Sequence, residues 1–228
     1  MSLPLRLSPP PLIAIAGIMN AGKSHFINRL IGDYLPSEVV SCTAVEIEVA
    51  WGAEVERYHC AGENRRDLLD AEQFDQLVRS DGTGSLQLNL PKRELLNLRL
   101  LDTPGFEDPK RAMSVGNILR RGCHGLAWCV NFGSGISEAD LNILKALVSG
   151  GIPLLGVIIT KSDTANDSDE EHPKKREDTV VRLGNHGLPQ RVIMSARTEP
   201  NAQQLWRWLD EGARNMPTGL DAILEGSR

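Results

Sequence analysis

The run Gly17-Ile18-Met19-Asn20-Ala21-Gly22-Lys23-Ser24 carries the residues of this chain best suited to phosphate chemistry. It fits G-x-x-x-x-G-K-[ST]. In that pattern the glycines let backbone N–H groups curl around phosphate oxygens, and a helix start adds positive potential. Lys23 is placed to reach terminal phosphates, and the Ser24 hydroxyl to ligate Mg²⁺. Such a loop needs a strand before it and a helix after it. Leu12-Ile13-Ala14-Ile15-Ala16 reads as a short buried strand, and Ser24 to Ile31 reads as a helix. A glycine-rich turn without ligand is the alternative, but it gives no reason for these residue types to coincide at a helix start. The run predicts a nucleoside phosphate site.

Two further strand ends bear on which nucleotide. Leu98-Arg99-Leu100-Leu101 leads into Asp102-Thr103-Pro104-Gly105. An aspartate there can hold Mg²⁺ through water, and the glycine N–H can face a γ-phosphate. Leu154 to Ile159 is another buried strand, ending in Thr160-Lys161-Ser162-Asp163. These four resemble the guanine-reading [NT]-K-x-D of the GTPase superfamily. The Asp163 carboxylate would accept from the N1–H and exocyclic amine of guanine, whereas adenine offers the wrong pattern. The Lys161 stem can lie over the base. Ile193-Met194-Ser195-Ala196 resembles the last GTPase element, where a loop N–H meets the guanine carbonyl. Each short match is weak alone. In this order, each at the C-terminal end of an apolar run where open α/β sheets bind ligands, they indicate GTP rather than ATP.

Composition agrees. The chain has 228 residues, 41% of them hydrophobic, enough for one large core but crowded for two domains. No apolar stretch is long enough to span a bilayer. The proline-rich start is unlike a signal peptide and reads as a flexible tail over residues 1–10. A net charge of −5 argues against a broad nucleic-acid surface. The four cysteines form no C-x-x-C pair; three of them lie in or beside strand-like segments and read as small buried residues, with a reduced, cytoplasmic setting as the default.

Strand-like and helical runs alternate along the rest. Ser137-Glu138-Ala139-Asp140 is a capping-box pattern ahead of Leu141, Leu144 and Val148. Gly125 to Val130 is an apolar run of the kind buried in a parallel sheet. Leu205, Trp206 and Leu209 mark the inward face of the last helix, with an exposed Trp206 anchor as the alternative reading. Asn166 to Asp178 carries an acidic and then a basic cluster and reads as a solvated loop. The expected fold is α/β: a three-layer phosphate-loop NTPase with a mostly parallel central sheet and helices on both faces.

Spacing adds a family resemblance. The candidate first-switch threonine is Thr43, and the stretch from it to Asp102 is too long for a simple hairpin. That stretch holds Arg65 to Leu69, the helical Ala71 to Val78 and the strand-like Ser85 to Leu90. The enlargement, with Leu35-Pro36 and the Gly-x-x-Asn-Ala-Gly-Lys-Ser loop, resembles the GTPase domain of the dynamin superfamily, most of all bacterial dynamin-like proteins. The resemblance covers residues 11–215 and leaves 216–228 as a tail. Dynamin-family proteins also carry a helical stalk and a membrane-binding region, for which this chain has no room. It is expected to be either a domain of a longer protein or a short relative, peripheral at a membrane only through regions absent here.

The resemblance implies GTP hydrolysis to GDP and phosphate with Mg²⁺, activated when two such domains pair as a homodimer across the nucleotide. It carries nucleotide contacts onto Gly17, Asn20, Ala21, Gly22, Lys23, Ser24, His25, Asp102, Gly105, Thr160, Lys161, Asp163, Ser195 and Ala196. Ser24 and Thr43 would ligate Mg²⁺, with Asp102 acting through water; Ser41 is the alternative to Thr43. Lys23, Thr43 and Asn20 are the catalytic candidates. Asn20 would hold K⁺ by its amide oxygen, a loop-stabilising amide being the other reading. One departure stands out. Ras-type enzymes orient water with a glutamine after the D-x-x-G glycine, here Phe106. Dynamins use a phosphate-loop glutamine, here Met19. Neither residue can do this, so a GTP-gated switch with negligible hydrolysis stays open. An Era-type RNA-associated GTPase is a third reading, set back by the insertion and the acidic balance.

Overall fold

The computed structural model describes residues 9–36, 45–62, 65–80, 84–106, 115–162, 171–196 and 201–216. Its centre is β1 (Leu12–Ala16), an entirely buried strand. It pairs in parallel with β6 (Arg99–Asp102) on one side and β7 (Gly125–Asn131) on the other. Beyond β7 come β8 (Leu154–Thr160) and β9 (Val192–Ser195), again parallel. These short apolar runs have no polar face because helices cover both sides of the sheet. On the far side of β6 lie β2 (Ile47–Trp51), β5 (Ser85–Leu90), β3 (Glu56–Cys60) and β4 (Arg66–Leu69). The order is β4-β3-β5-β2-β6-β1-β7-β8-β9. β2 runs antiparallel to β6, and β3 antiparallel to both its neighbours; the remaining pairs are parallel.

Alternation along the strands divides the core in two. Ile13 and Ile15 face a cluster with Phe26, Ile27 and Leu30 of α1 (Lys23–Ile31), Phe74 and Val78 of α2 (Ala71–Arg79), and Leu205, Trp206 and Leu209 of α6 (Ala202–Arg214). Ala14 and Ala16 face the other cluster. It holds Ile118 of α3 (Val115–Arg120), Leu141, Leu144 and Leu147 of α4 (Glu138–Ser149), and Leu183 of α5 (Glu171–Asn185). The three-layer α/β expectation is met. The enlargement is also present: β3, β4, α2, β5 and a short 3-10 helix (Arg93–Leu96) lie between β2 and β6.

Local signals explain several boundaries. Ser137 caps α4 by accepting from the Asp140 N–H, and Asp140 returns the bond to the Ser137 N–H, as the sequence pattern predicts. The buried Asp140 also accepts from Trp128 Nε1 at 2.9 Å, tying α4 to β7. Trp206 is a core residue, not an exposed anchor; its Nε1 donates to the Leu30 carbonyl at 3.1 Å. The segment read as a solvated loop differs. From Glu171 onward it is α5, with only Thr179 and Leu183 buried among its described residues. A narrow apolar stripe suffices there because Glu, Lys and Arg lose little side-chain freedom in a helix. Cys129 is buried, which pushes its thiol up to about 12. Cys123 is pushed up to about 11 by the same cause, so both behave as the small apolar residues expected.

Candidate nucleotide-binding site

The candidate residues converge where β1, β6, β8 and β9 end. The chain leaves β1 through the glycine loop and enters α1 at Lys23. Gly22 makes the turn at φ 80° and ψ 25°, left-handed backbone that a side chain disfavours. A Cβ there would also stand 2.8 Å from Thr160 Oγ1. Asn20 is left-handed as well, at φ 62°, a conformation asparagine tolerates better than most residues.

Lys23 is nearly buried, at 7% exposure. Its ammonium folds back over the loop and donates to the carbonyls of Ile18 at 2.9 Å and Gly17 at 3.3 Å. A buried cation needs such partners, and here they hold it at the mouth of the phosphate cradle. Ser24, next in the helix, donates its hydroxyl to Asp102 Oδ2 at 2.6 Å. Asp102 ends the adjacent strand and is fully buried. A hydroxyl oxygen and a carboxylate in contact form a hard oxygen donor set that suits Mg²⁺. Among the described residues no group of three His, Cys, Asp or Glu side chains forms a metal cage. A divalent ion at Ser24 and Asp102 would thus take further ligands from phosphate and water.

After Asp102 the chain turns back onto the loop. Thr103 Oγ1 donates to the Ile15 carbonyl at 3.0 Å. Phe106 N–H donates to the Gly17 carbonyl and Met19 N–H to the Phe106 carbonyl, each at 3.2 Å. Gly105 lies so close to the loop that a Cβ would come 2.8 Å from Met19 Cα. The Phe106 side chain is buried at 4% exposure. Met19 is 42% exposed. The thioether and the phenyl ring thus occupy the two positions where a water-orienting amide was sought.

The base-reading strand is fastened to the same loop. Thr160 Oγ1 lies 2.7 Å from the Ala21 carbonyl and 3.2 Å from that of Val130. Lys161, left-handed at φ 54°, extends its amine to the Asn20 carbonyl at 3.2 Å. From the other side Arg29 of α1 donates to Ser195 Oγ at 2.7 Å, holding the end of β9. Ala196 follows directly, and His25 sits half-buried in the first turn of α1. Thr43, its alternative Ser41, and Asp163 lie outside the described residues. Arg29 was not legible as a brace for Ser195, because nothing in the local pattern links α1 to β9. A groove of about 480 Å³ between the 3-10 helix and α6, lined in part by Glu94, Trp206 and Arg207, contains none of the candidate residues.

Known proteins place this arrangement. Bacterial dynamins share the fold: the structure of an oligomerised bacterial dynamin pair superposes with a TM-score of 0.67 over 91% of this chain and 34% of that chain, at 14% identity. Era from Aquifex aeolicus, solved with GDP and AlF4⁻, gives a TM-score of 0.54 over 93% of this chain and 58% of that one, at 15% identity. GTPase Der of Rhodopseudomonas palustris (strain HaA2) is 30% identical over 127 residues, which make up 54% of this chain and 26% of Der. The chain thus spans about a quarter of that relative's length. The family model for 50S ribosome-binding GTPases matches residues 12–161. That segment is well over half of the chain and runs from β1 to Lys161: the chain belongs to this GTPase family.

Proposed function

We propose that this chain binds GTP at the strand ends of β1, β6, β8 and β9 and hydrolyses it to GDP and phosphate. The observation that carries the reading is the joining of the Lys23 ammonium, the Ser24–Asp102 pair and the Thr160–Lys161 turn on one loop. In this reading the loop N–H groups and Lys23 hold the β- and γ-phosphates. Asp163 selects guanine through two hydrogen bonds, Lys161 covers the base, and Ser195 and Ala196 present the loop for the guanine carbonyl. Bound Mg²⁺ would neutralise charge between the phosphates, with Ser24 and Thr43 as ligands and Asp102 acting through water. Thr43 would position the attacking water by its backbone carbonyl. The remaining work is electrostatic positioning rather than covalent chemistry.

Neither Met19 nor Phe106 orients water, so we place acceleration in pairing of two such domains across the nucleotide. The dynamin-like fold supports this dimer, and Asn20 is the candidate side chain for a K⁺ ion. The same two residues favour a second reading, a GTP-gated switch with negligible hydrolysis of its own. Single-turnover hydrolysis at low and high protein concentration separates the two. The Era-type reading has the family's ribosome-binding description on its side and the net charge of −5 against it; RNA pull-down tests it. Equal binding of ATP and GTP would overturn the guanine assignment.

A further inference from the structure

β9 is the last strand of the sheet, and among the described residues it pairs with β8 alone. It is four residues long, and its final register pair is Thr160 with Ser195. The end of so short an edge strand is where a sheet opens most readily. Ser195 is nevertheless only 2% exposed. Its hydroxyl oxygen accepts from Arg29 Nη1 at 2.7 Å. An ionised donor makes this bond stronger than a neutral one, and it reaches Ser195 from outside the sheet, where no strand does.

Arg29 itself stands half-buried on a fixed platform. Around it on α1, Phe26, Ile27 and Leu30 are buried in the core, and Trp206 holds the Leu30 carbonyl. The Asn28 amide bonds the Leu35 backbone in both directions, at 2.7 and 2.9 Å. The same helix opens with Lys23 and Ser24, from which Arg29 is about 9 Å distant along the axis at the usual rise per residue. One side chain thus ties the helix that starts the phosphate cradle to the strand end on the base side. Ala196 follows Ser195 directly. Its N–H lies in the planar peptide that joins the two, so with Ser195 fixed a single backbone rotation sets its direction.

We propose that Arg29 is a positioning residue for guanine, acting through Ser195 to hold the Ala196 N–H where the base carbonyl meets it. The proposal rests on the guanine-site reading above. It assigns part of base recognition to the phosphate-side helix, outside every base-reading motif of the sequence.

The test compares dissociation constants of the whole chain for three nucleotides. GTP has both the carbonyl and the exocyclic amine, ITP keeps only the carbonyl, and 2-aminopurine riboside triphosphate keeps only the amine. Arg29→Met removes the donor and keeps the stem, and Ser195→Ala removes the acceptor. Each is expected to weaken GTP and ITP alike by about fivefold to tenfold, the scale of one neutral hydrogen bond, and the 2-aminopurine nucleotide by less than about twofold. The double variant is expected to lose no more than either single one, because both break the same link. Ser195→Ala carries the comparison by itself if Arg29→Met loses the circular dichroism of the parent. Equal losses for all three nucleotides overturn the proposal, as do unchanged GTP affinity or additive losses in the double variant. The parent chain is the control for the underlying site. If it prefers GTP to the 2-aminopurine nucleotide and the variants keep that preference, only the positioning role fails; if the parent shows no such preference, the guanine reading fails as well.

Discussion

The rings of Phe106 and Trp128 lie 5.3 Å apart between centroids, tilted at 48°. This contact turns the residue after Gly105 into the core, away from the phosphate loop that its backbone touches. Its side chain is therefore a fastening rather than a reagent. Phe106→Ala is expected to cost about 3–5 kcal/mol, as for other large buried aromatics. Phe106→Gln is expected to be similarly destabilising, because its amide would enter an apolar site. It is also expected not to raise hydrolysis per folded molecule. Urea titration and single-turnover hydrolysis check the two parts; a faster Phe106→Gln enzyme would show that the position can face the nucleotide.

Base choice is expected to follow Asp163. Exchanging its carboxylate for an amide reverses one of the two hydrogen bonds offered to guanine. Asp163→Asn should weaken GTP on the order of a hundredfold or more, since sites built on such bonds reject mismatched partners strongly. XTP binding should improve at the same time. Competition of GTP and XTP against a fluorescent guanine nucleotide reads both changes.

Phosphate and metal binding are expected to fall with Lys23 and Ser24. Lys23→Ala removes a charged donor, worth about tenfold to a hundredfold in affinity by the usual strength of charge-assisted bonds. Ser24→Asn disturbs the contact with Asp102 and should raise the Mg²⁺ needed for binding. Calorimetry measures both. Unchanged affinity in Lys23→Ala would make the glycine run a structural turn.

Turnover per molecule is expected to rise with protein concentration and to be higher in K⁺ than in Li⁺ or choline at equal ionic strength. Asn20→Ala should remove most of the cation dependence and leave nucleotide binding largely intact. Flat, near-zero turnover across both variables would favour the switch reading. Flat but fast turnover would place the missing charge on a residue of the same chain.

The sequence exposed the parts of this site whose chemistry is local. Gly22, Lys23 and Ser24 share one turn, and Asp102 and Thr160 end apolar strands, so pattern and position agree before any tertiary contact is known. The helix over Ala71 to Val78 and the strand over Ser85 to Leu90 were equally legible, each with its own periodicity. β3 was not, because Glu56-Arg57-Tyr58-His59-Cys60 lacks an apolar alternation and is held by its neighbours β4 and β5. α5 was hidden for a related reason: its first half is charged, and its apolar anchor Leu183 comes late. Braces such as Arg29 on Ser195 and His172 on Ser162 join elements distant in sequence. They become visible only when the sheet has brought those elements together.

The central position of β1 has a consequence for how the protein is made. β1 is made before the strands that flank it, since Leu12 pairs with Arg99 and Ile13 with Gly125. Its glycine loop therefore waits unsupported until those partner strands have been synthesised. Such long-range parallel pairings are intrinsically slow to form and leave apolar strands uncovered in the meantime. Thr160, which fastens the loop from β8, arrives later still. A nascent chain would thus gain its affinity for nucleotide abruptly, only once β8 has been made, and GTP present at that moment would act as a folding ligand by binding only the folded state.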